Sequence, residues 1–176
     1  IVNPRGKVTK LEAHKMLNLA KESGLDTLDT AISYGDCEHL LGRIGIDGWK
    51  VISKLPPIRD VRNSTEPNNW VLYSVKQSLV KLRIQQLYGL LLHHPLDLLE
   101  HDGDSLYAQL LDLKDRGLVK KIGLSVYCPN ELKALFKRFP IDIVQIPFNV
   151  FDQRFLSSGW LETMKNRGVE IHSRSV

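Results

Sequence analysis

The 176 residues predict an α/β protein built on a parallel sheet. Three observations carry that expectation. First, one rhythm recurs: an amphipathic helix, a polar turn with a glycine, then a β-rich apolar run. It is read in AKESG-LDTLDT, LKDRG-LVKKIGLS and MKNRG-VEIHSRS, with Gly24, Gly117 and Gly168 at the helix ends, where left-handed backbone is favoured. Second, six short runs have strand character and lie roughly 20–40 residues apart, the spacing of βαβ units. Third, amphipathic segments fill the gaps between them. Strands alternating with helices imply parallel pairing through crossovers. An open doubly wound sheet and a closed (β/α) barrel both satisfy that alternation.

The elements follow in order. Thr9, with Glu12 three positions on, is a capping-box start for a helix over residues 10–23. The first strand is LDTLDT, and WKVISKL (49–55) is the second. A helix from Asn69 places Val71, Leu72, Val75, Leu79 and Leu82 on one face. QLYGLLLH (86–93) is the third strand, and Asp104–Arg116 is a helix with Leu106, Leu110, Leu111 and Leu113 mostly inward. KKIGLS is the fourth strand, and Pro129 suits the first turn of the helix after it. DIVQIPF (142–148), a helix over residues 158–167 and VEIHSRS complete the pattern. TEPNN (65–69) and LEHDGD (99–104) read as surface excursions. Nothing divides the chain, so residues 1–176 are expected to form a single domain.

Composition narrows the classes. Twenty-four basic against 20 acidic residues leave a net charge of +4, and 43% hydrophobic content excludes intrinsic disorder. The basic residues are scattered beside acids instead of forming a stripe, which argues against nucleic acid as a partner. Two cysteines far apart, Cys37 and Cys128, exclude a disulfide scaffold and suit a reducing compartment. No run reaches the roughly 18 apolar residues of a membrane span, and no secretory leader is read at the start. A cytoplasmic, soluble protein is expected.

Familiar motifs fail. GRIGIDG (42–48) does not match GxGxxG, PRGKVT lacks the upstream glycine of a phosphate loop, and no GxSxG elbow is present. His93 and His94 are adjacent and would point opposite ways on a strand, so no metal is expected.

What remains is a set of polar residues at successive strand ends: Asp29, then Tyr34 in the following loop, Lys54, His93, Ser125 and Gln145. In a closed barrel these would converge at the C-terminal mouth. A phenol of pKa ~10 is a poor acid or base near neutrality. An adjacent ammonium is expected to lower that value, and a carboxylate to hold the amine in place. An imidazole could orient a carbonyl while its oxygen is protonated.

LDTLDTAISYGDCEHLLG resembles the DTA-x-x-YG-x-x-E-x-x-LG signature of the aldo-keto reductases. VISKL, LLLHHP, KKIGLS and VQIPFNVFDQR follow in that family's order. The resemblance covers nearly the whole chain. It implies a (β/α)8 TIM-type barrel, incomplete in this chain, that binds NADP(H), with NAD as the other option, and reduces a small-molecule aldehyde or ketone. By the matching motifs Asp29, Tyr34, Lys54 and His93 are the catalytic positions, with Tyr34 as general acid/base. His93 is preferred to His94 because the pattern is His-x-Pro. Ser125 and Gln145 match residues that hydrogen-bond the nicotinamide carboxamide. Two departures stand out. Val126 replaces a common asparagine, and Arg174 takes the place of an aromatic that stacks on the nicotinamide. The chain is expected to begin just after the family's first strand and to stop inside or just after its seventh, as a piece of a longer enzyme. The competing expectation is a reductase-like barrel that acts as a non-catalytic binding or regulatory subunit.

Overall fold

The computed structural model describes residues 8–61 and 69–175. The order of elements is α1 (Lys10–Glu22), β1 (Thr27–Asp29), α2 (Cys37–Ile44), β2 (Lys50–Leu55), α3 (Ile58–Val61), α4 (Trp70–Leu82), β3 (Leu87–Leu92), a 3-10 turn (Pro95–Leu99), α5 (Gly103–Asp115), β4 (Val119–Ser125), α6 (Asn130–Arg138), β5 (Ile143–Pro147), α7 (Arg154–Ser157), α8 (Trp160–Asn166) and β6 (Glu170–Arg174). All six predicted strands form. Thr9 and Glu12 close the capping box on α1: the Glu12 amide donates to Thr9 Oγ1 at 3.2 Å, and the Thr9 amide donates to Glu12 Oε2 at 2.9 Å. Gly24, Gly117 and Gly168 all have φ between 70° and 83°, as the turns after their helices require.

The strands pair in parallel and in sequence order, β1 to β6, from Thr27 opposite Lys50 to Pro147 opposite Arg174. A doubly wound sheet reverses its strand order at a switch point. This sheet does not, so the barrel alternative holds. Its curvature is visible directly. Gln145 on β5 donates to Asp29 Oδ1 at the end of β1 across 3.0 Å. In a flat sheet those strands would lie about 19 Å apart, four spacings of ~4.8 Å. The six strands are thus a curled sector of an incomplete (β/α)8 barrel.

Alternation divides the strand side chains between two cores. Val51, Leu55, Leu90, Leu92, Ile122, Leu124, Val144 and Ile146 face outward and pack with the helices in the main core. Ile52, Leu91 and Ile143 form a smaller cluster on the concave face. Gly123 makes room for it, since a Cβ there would lie 2.1 Å from the Ile143 carbonyl oxygen and 2.8 Å from Leu91. Polar layers lie at both ends of the concave face. At the N-terminal end, Glu170 accepts hydrogen bonds from the Tyr88 hydroxyl (2.7 Å) and from Lys121, and pairs with His172.

Some local expectations change. The stretch leading into GRIGIDG, helix-like in the sequence but given no bounds there, forms the short helix Cys37–Ile44, in which Glu38 and Gly42 are buried. On α5, Leu106, Leu110 and Leu113 are buried but Leu111 turns outward. Pro129 caps α6 from just outside instead of occupying its first turn. LEHDGD is more than a surface excursion: Gly103 is buried, and a Cβ on it would sit 1.9 Å from the Leu98 carbonyl oxygen. TEPNN lies outside the described residues except for Asn69, which precedes α4. No helix of the described residues is long and apolar enough to cross a membrane.

Candidate active site

The residues singled out in the sequence lie in the C-terminal halves of strands or in the loops that follow them. Asp29 ends β1, and Tyr34 sits in the loop before α2. Lys54 is the penultimate residue of β2, and His93 follows β3. Ser125 ends β4, Gln145 lies within β5, and Arg174 ends β6.

Lys54 is the hub. Its side chain is fully buried, and its ammonium donates to both Asp29 oxygens at 2.7 Å and to the Thr30 carbonyl at 2.9 Å. An ammonium has three N–H groups, so this arrangement uses them all. Burial lowers the Lys54 pKa, while the hydrogen bonds and charge of Asp29 oppose that shift. Asp29 is itself partly exposed, and Gln145 gives it a further donor at 3.0 Å.

Tyr34 stands over this pair. The Lys54 nitrogen is 5.4 Å from its ring centroid, and the ring meets His93 edge-on at 5.9 Å. The phenol does not behave as the sequence led us to expect. Its pKa is raised above 10, first by burial and then by the Asp29 charge, with Arg174 acting weakly the other way. The Lys54 ammonium gives no hydrogen bond that would oppose this, since its N–H groups are committed to Asp29 and Thr30. His93 is pushed below 6.5 by burial, then by the charges of Lys54 and Arg174, which leaves a neutral imidazole near neutral pH. His94 belongs elsewhere, its Nδ1 lying 2.8 Å from Asp97, whose other oxygen accepts from the Ile58 amide.

Ser125 and Gln145 are both buried at the same rim. Their mutual contact is long, 3.4 Å from Ser125 Oγ to Gln145 Oε1. A hydroxyl and an amide oxygen are therefore left with hydrogen-bonding capacity, a set that fits the N–H and carbonyl groups of a carboxamide. Val126 turns its side chain into the main core, away from this rim. Arg174 ends β6, the strand at the other end of the sheet order from the β1–β2 hub: its Nη2 donates to the Val126 carbonyl at 3.1 Å, and its guanidinium carbon is 4.2 Å from the Tyr127 ring centroid.

Four contributors went unnoticed in the sequence. Thr30 supplies the carbonyl that Lys54 needs, and its own Oγ1 is buried without a partner among the described residues. Glu38, fully inside, accepts from Ser53 Oγ (2.7 Å) on β2 and Ser78 Oγ (2.5 Å) on α4. It thereby fastens α2, and with it the Tyr34 loop, to the sheet. Its place in the YG-x-x-E segment was the available signal. Ser53 and Ser78 gave none, because a lone serine in an apolar run reads as neutral.

The sequence profile of the aldo/keto reductase family matches residues 2–176, and the chain belongs to that family. Its fold is similar to that of an aldo-keto reductase from Bacillus halodurans in its holo form (TM-score 0.79, 21% identity, covering 96% of this chain and 58% of that one). It is also similar to an aldo-keto reductase from Klebsiella pneumoniae in complex with NADPH (TM-score 0.74, 18% identity, covering 94% and 58%). The chain thus spans a little over half the length of these two proteins. No curated protein matches its sequence.

Proposed function

We propose that this chain carries the catalytic centre of an NADP(H)-dependent oxidoreductase that reduces an aldehyde or ketone to an alcohol, or runs the reverse reaction. The observation that carries this reading is the Lys54–Asp29–Thr30 knot lying beneath Tyr34 and His93 at one barrel mouth. A nicotinamide, when bound, supplies the hydride. Ser125 and Gln145 would hold its carboxamide. The neutral His93 is suited to donate a hydrogen bond to a substrate carbonyl oxygen and so orient it. Tyr34, still protonated at neutral pH because its pKa lies above 10, gives its proton to that oxygen as negative charge develops there. Lys54 and Asp29 hold the loop end of β1 against β2 and set the electrostatics under the phenol. Family membership and the fold shared with an NADPH complex support the choice of cofactor.

Tyr34→Phe tests this directly. Loss of the proton donor should lower kcat by about 10²–10⁴-fold. Tyr34 is about half exposed, so the unfolding midpoint should barely move. The pH profile gives a second check. The reductive rate should stay flat through neutrality and fall only above pH 10, whereas the oxidative rate should climb as the phenol ionises. Retained turnover in the variant would remove Tyr34 from its role. Binding of NADPH without turnover of any carbonyl in a broad panel would favour a non-catalytic, regulatory barrel instead.

A further inference from the structure

The concave face of β6 ends at the site mouth with Arg174, beside Pro147 of β5. Its guanidinium is held in place by the Val126 carbonyl (3.1 Å) and by the Tyr127 ring (4.2 Å to the centroid). Its Nε–H is nevertheless buried with no acceptor among the described residues. Nor does any described carboxylate pair with it. Asp152, which feels its charge, accepts hydrogen bonds from the Arg154 guanidinium at 2.8 and 2.7 Å. At the mouth, Asp29 offsets Lys54, so the charge of Arg174 is left over.

A planar guanidinium with an unpartnered Nε–H, and with Nη hydrogens beyond the one that Nη2 gives to Val126, matches the two oxygens of a carboxylate or phosphate. A buried N–H without an acceptor is costly, and an incoming oxyanion would relieve that cost. We propose that Arg174 is an oxyanion receptor at the mouth of the candidate active site. The inference rests on the reductase reading and sharpens it: the favoured substrates are carbonyl compounds that also carry an acid group. The same chemistry could instead receive a phosphate of the cofactor, and the test separates the two sources.

The comparison is kcat/KM for succinic semialdehyde against butanal, which is uncharged and has the same carbon count. The wild-type protein should prefer the acid. Arg174→Met should lower that preference roughly 10- to 100-fold, the range of a hydrogen bond to a charged group. Arg174→Lys, which keeps the charge without the fork, should retain part of it. Because the readout is a ratio measured on one protein, a general loss of folding cannot imitate the result. NADPH affinity is measured on the same variants by fluorescence titration. A change confined to the substrate ratio assigns the receptor to the substrate's carboxylate, and a change confined to NADPH affinity assigns it to a cofactor phosphate. No change in either overturns the receptor. Calorimetric titration with succinate separates this proposal from the reductase reading. If no carbonyl is turned over, yet succinate binds the wild type and not Arg174→Met, the receptor stands and the reductase does not.

Discussion

At the scale of single residues, Lys54 shows how a charge survives in a core. Asp29 provides the countercharge and two of the three acceptors, and a backbone carbonyl provides the third. Removing the countercharge should expose the burial cost. Unfolded, the lysine keeps its proton up to about pH 10.5; folded, it releases the proton earlier because burial lowers its pKa. Between those values the unfolded state binds more protons, so stability rises with pH. Asp29→Asn removes the opposing influence and widens the window. The variant should be less stable than wild type at pH 7, and the deficit should shrink by pH 9, as read from urea midpoints. A deficit independent of pH would mean that Lys54 is not its source.

Among elements, the contact of α2 with α4 governs where Tyr34 sits. Gly42 lets the helices touch, since a Cβ there would lie 2.1 Å from the Lys81 carbonyl oxygen and 2.8 Å from the Leu82 carbonyl carbon. Neither is a flexible side chain, so the helix itself must give. Gly42→Ala is expected to cost about 1–3 kcal/mol in urea unfolding, typical of overpacking. It should also lower kcat, because Glu38 on the same helix ties the Tyr34 loop to Ser53 and Ser78. Lost stability with unaltered kcat would show that the loop is positioned independently of α2.

For the whole molecule, polar contacts across the concave face stitch distant strands together. At the end opposite the candidate site, Glu170 on β6 takes hydrogen bonds from Lys121 on β4 and Tyr88 on β3. Burial is the largest influence on its carboxyl and opposes ionisation, but the bonds from Lys121, Tyr88 and His172 together outweigh it and hold its pKa at about 2. The unfolded value is near 4.5, so the stabilisation is complete above that pH and lost as pH falls through 2. Glu170→Gln should therefore be less stable than wild type at pH 7, with the gap closing toward pH 2. Denaturation midpoints at pH 7, 4 and 2.5 would show this, and a constant gap would argue against it.

Much of this was legible in the chain itself. The helix–glycine–strand rhythm located six strands because a turn needing positive φ and a fully buried strand each leave a local trace. The DTA-x-x-YG-x-x-E and His-x-Pro segments pointed to the candidate site because their side chains follow strand ends at fixed offsets. Local order could not separate a barrel from an open sheet, since both use the same βαβ units. The family resemblance already implied the barrel, and the strand order and contacts between residues 116 positions apart, such as Gln145 with Asp29, show it. Nor could spacing reveal how Lys54 distributes its three N–H groups, or that burial and the Asp29 charge raise the Tyr34 phenol. Residue types and their order are written along the sequence, whereas which donor meets which acceptor, and how much water each has lost, exists only once the sheet has curled.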